Sequence, residues 1–112
     1  MSEFVLIFRR DYKTKEVQPT PEQTQENLKH WQEWFAQLTA NDILARPVQR
    51  LDPEGRISGQ YISVQTGPYI ELKESVGNVV FIKAADYDEA VEIAKGCPIL
   101  EVGGNVEVRA GL

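Results

Sequence analysis

A chain of 112 residues with 42% hydrophobic and 26% charged residues has the size and composition of one globular domain, which we place at 1–112. Its net charge of −5, without a basic cluster, argues against nucleic acid and anionic membranes as partners. One cysteine and one histidine exclude an internal disulfide and a Cys/His metal site, and we expect no cofactor. The lack of a long apolar run or signal-peptide pattern favours a cytoplasmic protein.

The first predicted strand covers residues 4–8, which are apolar on both faces when their side chains alternate. A strand of this kind lies in the centre of a sheet and needs cover on both sides. Arg9 continues the face of Val5 and Ile7, and a polar loop then leads to Pro19.

A helix is predicted to begin at Pro21, because Thr20 suits the N-cap and Gln23 stands where a capping box needs its second side chain. The helix is expected to end near Ala40, with Asn41 in a left-handed cap. Spacings of three and four residues predict one buried stripe of Leu28, Trp31, Phe35 and Leu38.

The same periodicity places two further residues of this helix. Trp34 lies on the flank of the stripe, where it is expected to serve a subunit contact. His30 is the only histidine and therefore the obvious general base. It points away from the stripe, towards solvent or a helix flank, which disfavours a catalytic role.

The middle of the chain is predicted to form strands joined by turns. Residues 43–46 are a short second strand, with Pro47 at its irregular end. Residues 52–55 match a type I turn, and residues 57–65 are expected to pair back through it as a third strand near a sheet edge. Residues 79–82 follow as a fourth strand, again apolar on both faces.

The second helix is predicted to start at Asp86, whose side chain suits the N-cap, and to stop at Gly96. Pro98 is expected to prevent the helix from resuming. Its expected buried face consists of Tyr87, Ala90, Val91 and Ala94.

A last strand covers residues 105–109, with Val106 and Val108 on one face. The other face carries Asn105, Glu107 and Arg109.

The predicted order β-α-β-β-β-α-β indicates an α+β protein, a ferredoxin-like sandwich with a mainly antiparallel sheet. Two helices cover only one face of such a sheet, yet the central strands are apolar on both faces. An identical subunit is the simplest cover for the second face, and we therefore expect a homodimer with facing sheets.

The stretch 64–74 resembles the Asp-Gly-Pro-Phe motif of the YCII-related (DGPF) family, and the similarity continues through 86–90, 96–98 and 106–109. This resemblance implies a dimeric α+β barrel in which two sheets face each other across a cleft. It implies no single activity: some members look like enzymes, and some occur beside extracytoplasmic-function sigma factors. Thr66 stands where the family has its Asp, so a catalytic acid or base at that position is missing here.

The loop 66–74 is the first candidate site, because its Gly-Pro turn is followed by charged residues that suit a small polar ligand. The alternative is an exposed loop with screened charges. The loop side chains proposed to bind the ligand are Tyr69, Glu71, Lys73 and Glu74.

Arg9 and Arg109 are the second candidates, since either can line a cleft between facing sheets and hold an anion. The alternative is an edge arginine that reaches solvent along its own stem. Cys97 is expected to be a small buried filler.

Two function classes follow. The favoured one is a small-molecule binding or regulatory module with its ligand cleft near the loop 66–74. The alternative is a dimeric-barrel enzyme that applies acid/base chemistry to a small polar or aromatic substrate. The position of His30 and the missing motif Asp favour the first class.

Overall fold

The computed structural model describes residues 2–11, 18–50, 56–59, 62–66 and 75–111. The predicted turn at 52–55 and the loop residues 67–74 lie outside this part of the chain. In chain order, the elements are β1 (Ser2–Arg10), α1 (Pro21–Ala40), β2 (Gln49–Arg50), β3 (Arg56–Gly59), β4 (Ile62–Thr66), β5 (Ser75–Ala84), α2 (Tyr87–Lys95), a 3-10 helix (Pro98–Val102) and β6 (Asn105–Ala110). Neither of the described helices has the length and apolar character needed to cross a membrane.

Four strands form the main sheet in the order β2-β5-β1-β6, and every neighbouring pair is antiparallel. The α+β class and the mainly antiparallel sheet are thus confirmed, and this strand order fits a ferredoxin-like sandwich. The two-faced strand β1 lies between β5 and β6, as its apolar pattern predicts. The β1–β5 pairing shifts register between Phe8 and Arg9.

The helices pack on one face of this sheet. Phe8 meets Trp31 of α1 edge to face, with ring centroids 5.2 Å apart, and Phe4 meets Tyr87 of α2 in the same way at 5.0 Å. Phe4, Leu6 and Phe8 are buried on this side. The opposite surface is here called the open face, and it consists of Val5, Ile7, Arg9, Val79, Phe81, Glu107 and Arg109.

The buried stripe of α1 differs from the predicted one. Leu28 is 57% exposed, whereas Trp34 is 7% exposed and belongs to the core, so the predicted roles of these two residues were wrong. The cause is Asn27, which is buried and donates through its side-chain amide to the carbonyl of Pro98. This bond turns the helix so that its buried line runs through residues 27, 31, 34 and 38.

The ends of α1 largely follow the prediction. The backbone N–H of Gln23 donates to Oγ1 of Thr20, and the N–H of Thr20 donates to Oε1 of Gln23, which completes the capping box. The helix ends at Ala40 as expected, but Asn41 has φ −95° and the left-handed residue is Asp42 with φ 55°. Asn41 stays right-handed because its backbone and side-chain N–H groups both donate to the carbonyl of Gln37.

The middle of the chain differs most from its prediction. Residues 43–46 form no strand and make a single bridge, Leu44 to Ile82, while β2 begins after Pro47. The expected third strand, 57–65, is two strands, β3 and β4, which pair with each other in a separate sheet. The two strands pair antiparallel with Gly59 opposite Ile62, and the register shifts between Ile57 and Gly59.

The second helix is capped as predicted, because Oδ1 of Asp86 accepts from the N–H of Glu89. Its buried face is narrower than expected: Ala90 and Ala94 are buried, but Val91 is 38% exposed and Tyr87 50% exposed. Tyr87 lies at the sheet edge, where its hydroxyl accepts from the N–H of Ala110 in β6. The helix ends at Lys95 with Gly96 as its C-cap, as predicted, and it does not resume as an α-helix, but Pro98 begins the 3-10 helix.

Cys97 is buried at 3% exposure, and burial raises the pKa of its thiol to about 11. Cys97→Ala should lower the free energy of unfolding by about 1–2 kcal/mol through lost apolar contact. In the native protein at pH 8, the thiol should react far more slowly with iodoacetamide than in denaturant, because little thiolate is present. Equal rates in the two states would contradict this assignment.

Candidate functional site

The strongest charged cluster of the open face joins two arginines through one carboxylate. The Nη1 atom of Arg9 lies 2.6 Å from Oε1 of Glu107, and Nε of Arg109 lies 2.5 Å from its Oε2. Hydrogen bonds from Arg109 and then Arg9 hold the pKa of Glu107 below its ordinary value. Glu107 therefore stays ionised at neutral pH, and the cluster keeps one positive charge in excess.

The backbone explains why these three side chains meet. Glu107 and Arg109 are two residues apart on β6, so both point to the open face. In the pairing of β1 with β6, Arg9 lies opposite Asn105 and Ile7 lies opposite Glu107. Arg9 thus reaches Glu107 diagonally, a distance that its long side chain spans.

An apolar strip lies beside this cluster on the open face. Val5 pairs with Arg109 on one side and with Phe81 on the other, and Ile7 similarly pairs with Glu107 and Val79. These apolar side chains are half-buried. The arrangement therefore places two guanidinium groups next to a continuous apolar surface.

A third arginine covers part of this strip. The guanidinium carbon of Arg46 lies 4.4 Å from the centroid of the Phe81 ring, and Nη2 of Arg46 lies 3.4 Å from Oε1 of Glu3. Arg46 thus stacks on an open-face aromatic ring. Arg46 was not predicted as a site residue, because its partners Phe81 and Glu3 lie far from it in the chain.

The predicted site residues have different outcomes. Arg9 and Arg109 come together, and Glu107, which was placed on their face but not chosen as a site residue, is what joins them. The sequence signal for Glu107 was its spacing of two residues from Arg109, which places both side chains on the same face of β6. The other predicted binding residues lie outside the described part of the chain: Tyr69, Glu71, Lys73 and Glu74.

His30 forms a second cluster, on the helical side of the molecule. Its Nδ1 lies 2.8 Å from Oε2 of Glu101 in the 3-10 helix, and its Nε2 lies 3.1 Å from Oε1 of Glu26. Asn27 also donates to Glu101, at 3.1 Å. His30 does point away from the stripe as predicted, but its partner Glu101 comes from an element 71 residues later in the chain.

A cavity of about 570 Å³ lies next to this cluster, with Asp11, Gln23, Glu26, Asn27 and Glu101 among its lining residues. Its polar lining suits hydrogen-bond donors, but both nitrogens of His30 are already engaged by carboxylates. An imidazolium between two carboxylates holds the 3-10 helix against α1 and makes a poor general base.

The pH dependence of His30 tests this assignment. The hydrogen bond to Glu101 and the charges of Glu101, Glu26 and Glu33 raise the pKa of His30 above its ordinary value of 6.5. Because His30 in turn holds the pKa of Glu101 below its ordinary value of 4.5, the pair stabilises the fold fully between pH 4.5 and pH 6.5. This contribution is lost as the pH rises through the folded-state pKa of His30 or falls through that of Glu101.

The lone histidine gives one ring signal for an NMR titration. Glu101→Gln should move the pKa of His30 back towards its ordinary value, while Glu92→Gln, which removes a carboxylate on α2, should leave it in place. Equal titration curves in the wild type and Glu101→Gln would show that the contact does not form in solution.

Comparison with known proteins adds to this picture. Among the described residues, no group of three or more His, Cys, Asp or Glu side chains could hold a metal ion. No curated protein matches the chain. A family model described as the YCII-related domain matches residues 4–110, which include both helices and all four strands of the main sheet from Phe4 onwards. The resemblance to this family is thus confirmed along nearly the whole chain, and the chain belongs to the YCII-related domain family.

Proposed function

We propose that the protein is a homodimeric small-molecule binding module whose ligand lies between the open faces of two copies. The observation that carries the proposal is the Arg9–Glu107–Arg109 cluster beside an apolar strip, on the face that α1 and α2 leave uncovered. Small-molecule sites in general combine an apolar lining with a few polar or charged groups.

A second copy is the proposed cover because the half-buried apolar side chains of the open face can pack against the same surface of an identical chain. A two-fold axis near Ile7 and Val79 sets apolar strip against apolar strip and leaves the arginine clusters at the rim. Two sheets packed in this way form a dimeric α+β barrel with a cleft. The loop residues Tyr69, Glu71, Lys73 and Glu74 are expected to overhang the mouth of that cleft, and a regulatory role would follow from ligand capture without turnover.

The first test is the mass of the protein in solution. Size exclusion with light scattering at micromolar concentration should report twice the chain mass of 12.7 kDa. Val79→Glu should give a folded monomer, because two buried carboxylates would face each other across the two-fold axis. Leu28→Glu, at a position 57% exposed on α1, is the matched control and should remain dimeric.

A wild-type monomer with an intact circular dichroism spectrum would refute the facing-sheet assembly. A dimer that persists in Val79→Glu would place the interface elsewhere.

The alternative is an enzyme of the dimeric-barrel kind that applies acid/base chemistry to a small polar or aromatic substrate. One observation favours it: Glu101, which pairs with His30, lines a cavity of about 570 Å³. The engagement of both ring nitrogens speaks against it. Turnover that is lost in His30→Gln, with dimer and fold intact, would establish this second function.

A further inference from the structure

We propose that the Arg9–Glu107–Arg109 cluster is the headgroup site for an organic monoanion with an apolar body, and that Glu107 is a built-in competitor that holds the affinity down. This inference rests on the proposed function, since it concerns the same open face. It adds the chemical class of the ligand and a residue that limits binding.

The first step concerns hydrogen-bond capacity. Each guanidinium group has five N–H donors. In the described part of the chain, the hydrogen bonds from these two groups use Nη1 of Arg9 and Nε of Arg109, both to Glu107. Among the described residues, no acceptor takes the other donors of these two groups, and a carboxylate or phosphate oxygen is the acceptor that guanidinium binds best.

The second step concerns charge. Two guanidinium groups and one carboxylate leave an excess of one positive charge, and one added anion neutralises it. The side chains are 31% exposed for Arg9, 33% for Glu107 and 68% for Arg109, so a small molecule can reach them. A dianion would leave uncompensated negative charge beside Glu107, which makes a monoanion the better match.

The third step concerns the rest of the ligand. An anionic group at Arg109 and Glu107 lies next to Val5 and Ile7, their neighbours across the strand pair. The apolar strip continues from there to Val79 and Phe81. The body of the ligand is therefore aromatic or branched aliphatic, and its burial in a cleft would strengthen the ion pair at its head.

The fourth step concerns Glu107. It sits on both arginines at hydrogen-bond distance, where the carboxylate of a ligand would bind. An anion that binds the remaining donors therefore lies next to this carboxylate, and like charge repels it. Removing the charge of Glu107 should tighten anion binding, whereas removing either arginine should weaken it.

Three small probes separate the contribution of the anionic group from that of the apolar body. Benzoate has both groups, benzamide lacks the charge, and acetate lacks the apolar ring. Binding is followed through the methyl NMR signals of Val5, Ile7 and Val79. We expect benzoate to bind at least about tenfold more tightly than benzamide or acetate.

The variants supply the decisive comparison. Arg9→Gln and Arg109→Gln should each weaken benzoate binding about tenfold, and Glu107→Gln should tighten it by about threefold to tenfold. Glu92→Gln and Lys95→Gln are matched controls, because they make the same charge changes in an exposed ion pair on α2 and should have no effect.

If Glu107 only held the cluster together, Glu107→Gln would weaken benzoate binding, as Arg9→Gln and Arg109→Gln do. Weaker or unchanged benzoate binding in Glu107→Gln, or benzamide binding as tightly as benzoate, would overturn this inference alone. If none of the probes moves the open-face methyl signals, the proposed function fails together with it.

Discussion

Replacing Phe8 by alanine is expected to lower the free energy of unfolding by about 3–5 kcal/mol. The Phe8 side chain is fully buried between the sheet and α1, and its ring packs edge to face against both Trp31 and Trp34. Its removal takes away the ring contacts and leaves a cavity that the two large tryptophan rings cannot easily fill. Urea denaturation at a fixed protein concentration measures the loss.

The matched control for this experiment is Leu28→Ala. Leu28 has the spacing of a core residue but is 57% exposed, so its removal should change the free energy of unfolding by less than about 0.5 kcal/mol. A large loss at Leu28 together with a small loss at Phe8 would mean that α1 packs with the face predicted from its periodicity.

Gly104→Ala is expected to cost about 2–3 kcal/mol, because Gly104, directly before β6, lies in close contact with β1. A Cβ atom at position 104 would lie 2.5 Å from the carbonyl oxygen of Arg9 and 2.5 Å from Cγ1 of Ile99. The first contact is with backbone, which cannot rotate away. Thermal and urea unfolding of the variant should both show the loss.

Gly103 provides the comparison for this glycine. It has φ 77°, but a Cβ atom there would meet nothing within 4 Å, so Gly103→Ala should cost only the left-handed strain of about 1 kcal/mol. If the two variants were equally stable, close approach to Arg9 would not be what position 104 requires. Because Gly104 lets β6 lie against Arg9, its replacement should also weaken the contact between Arg9 and Glu107.

Local chemistry alone was enough to predict the ends of the helices and the class of the fold. Thr20 and Gln23 form their capping box, and Asp86 caps α2, because these bonds join residues within one turn of helix. The apolar residues on both faces of β1 likewise predicted its central place in the sheet. Such features depend on neighbours in the chain.

Local patterns failed where a contact with a distant element decides between similar alternatives. Periodicity could not distinguish Leu28 from Trp34, because the bond from Asn27 to the carbonyl of Pro98 sets the rotation of α1. Residues 57–59 and 62–65 are strands as expected, but only tertiary pairing decides whether they join the main sheet or pair with each other.

The candidate sites divide in the same way. Alternation along β6 was sufficient to place Glu107 and Arg109 on one face. That Glu107 joins Arg109 to Arg9, and that Glu101 reaches His30, depends on strand register and helix packing between residues far apart in the chain. The sequence near each residue therefore determines the side-chain type and the local geometry. The tertiary structure decides which partner sets the charge state of that side chain, because pairing between distant segments is a property of the whole packed chain.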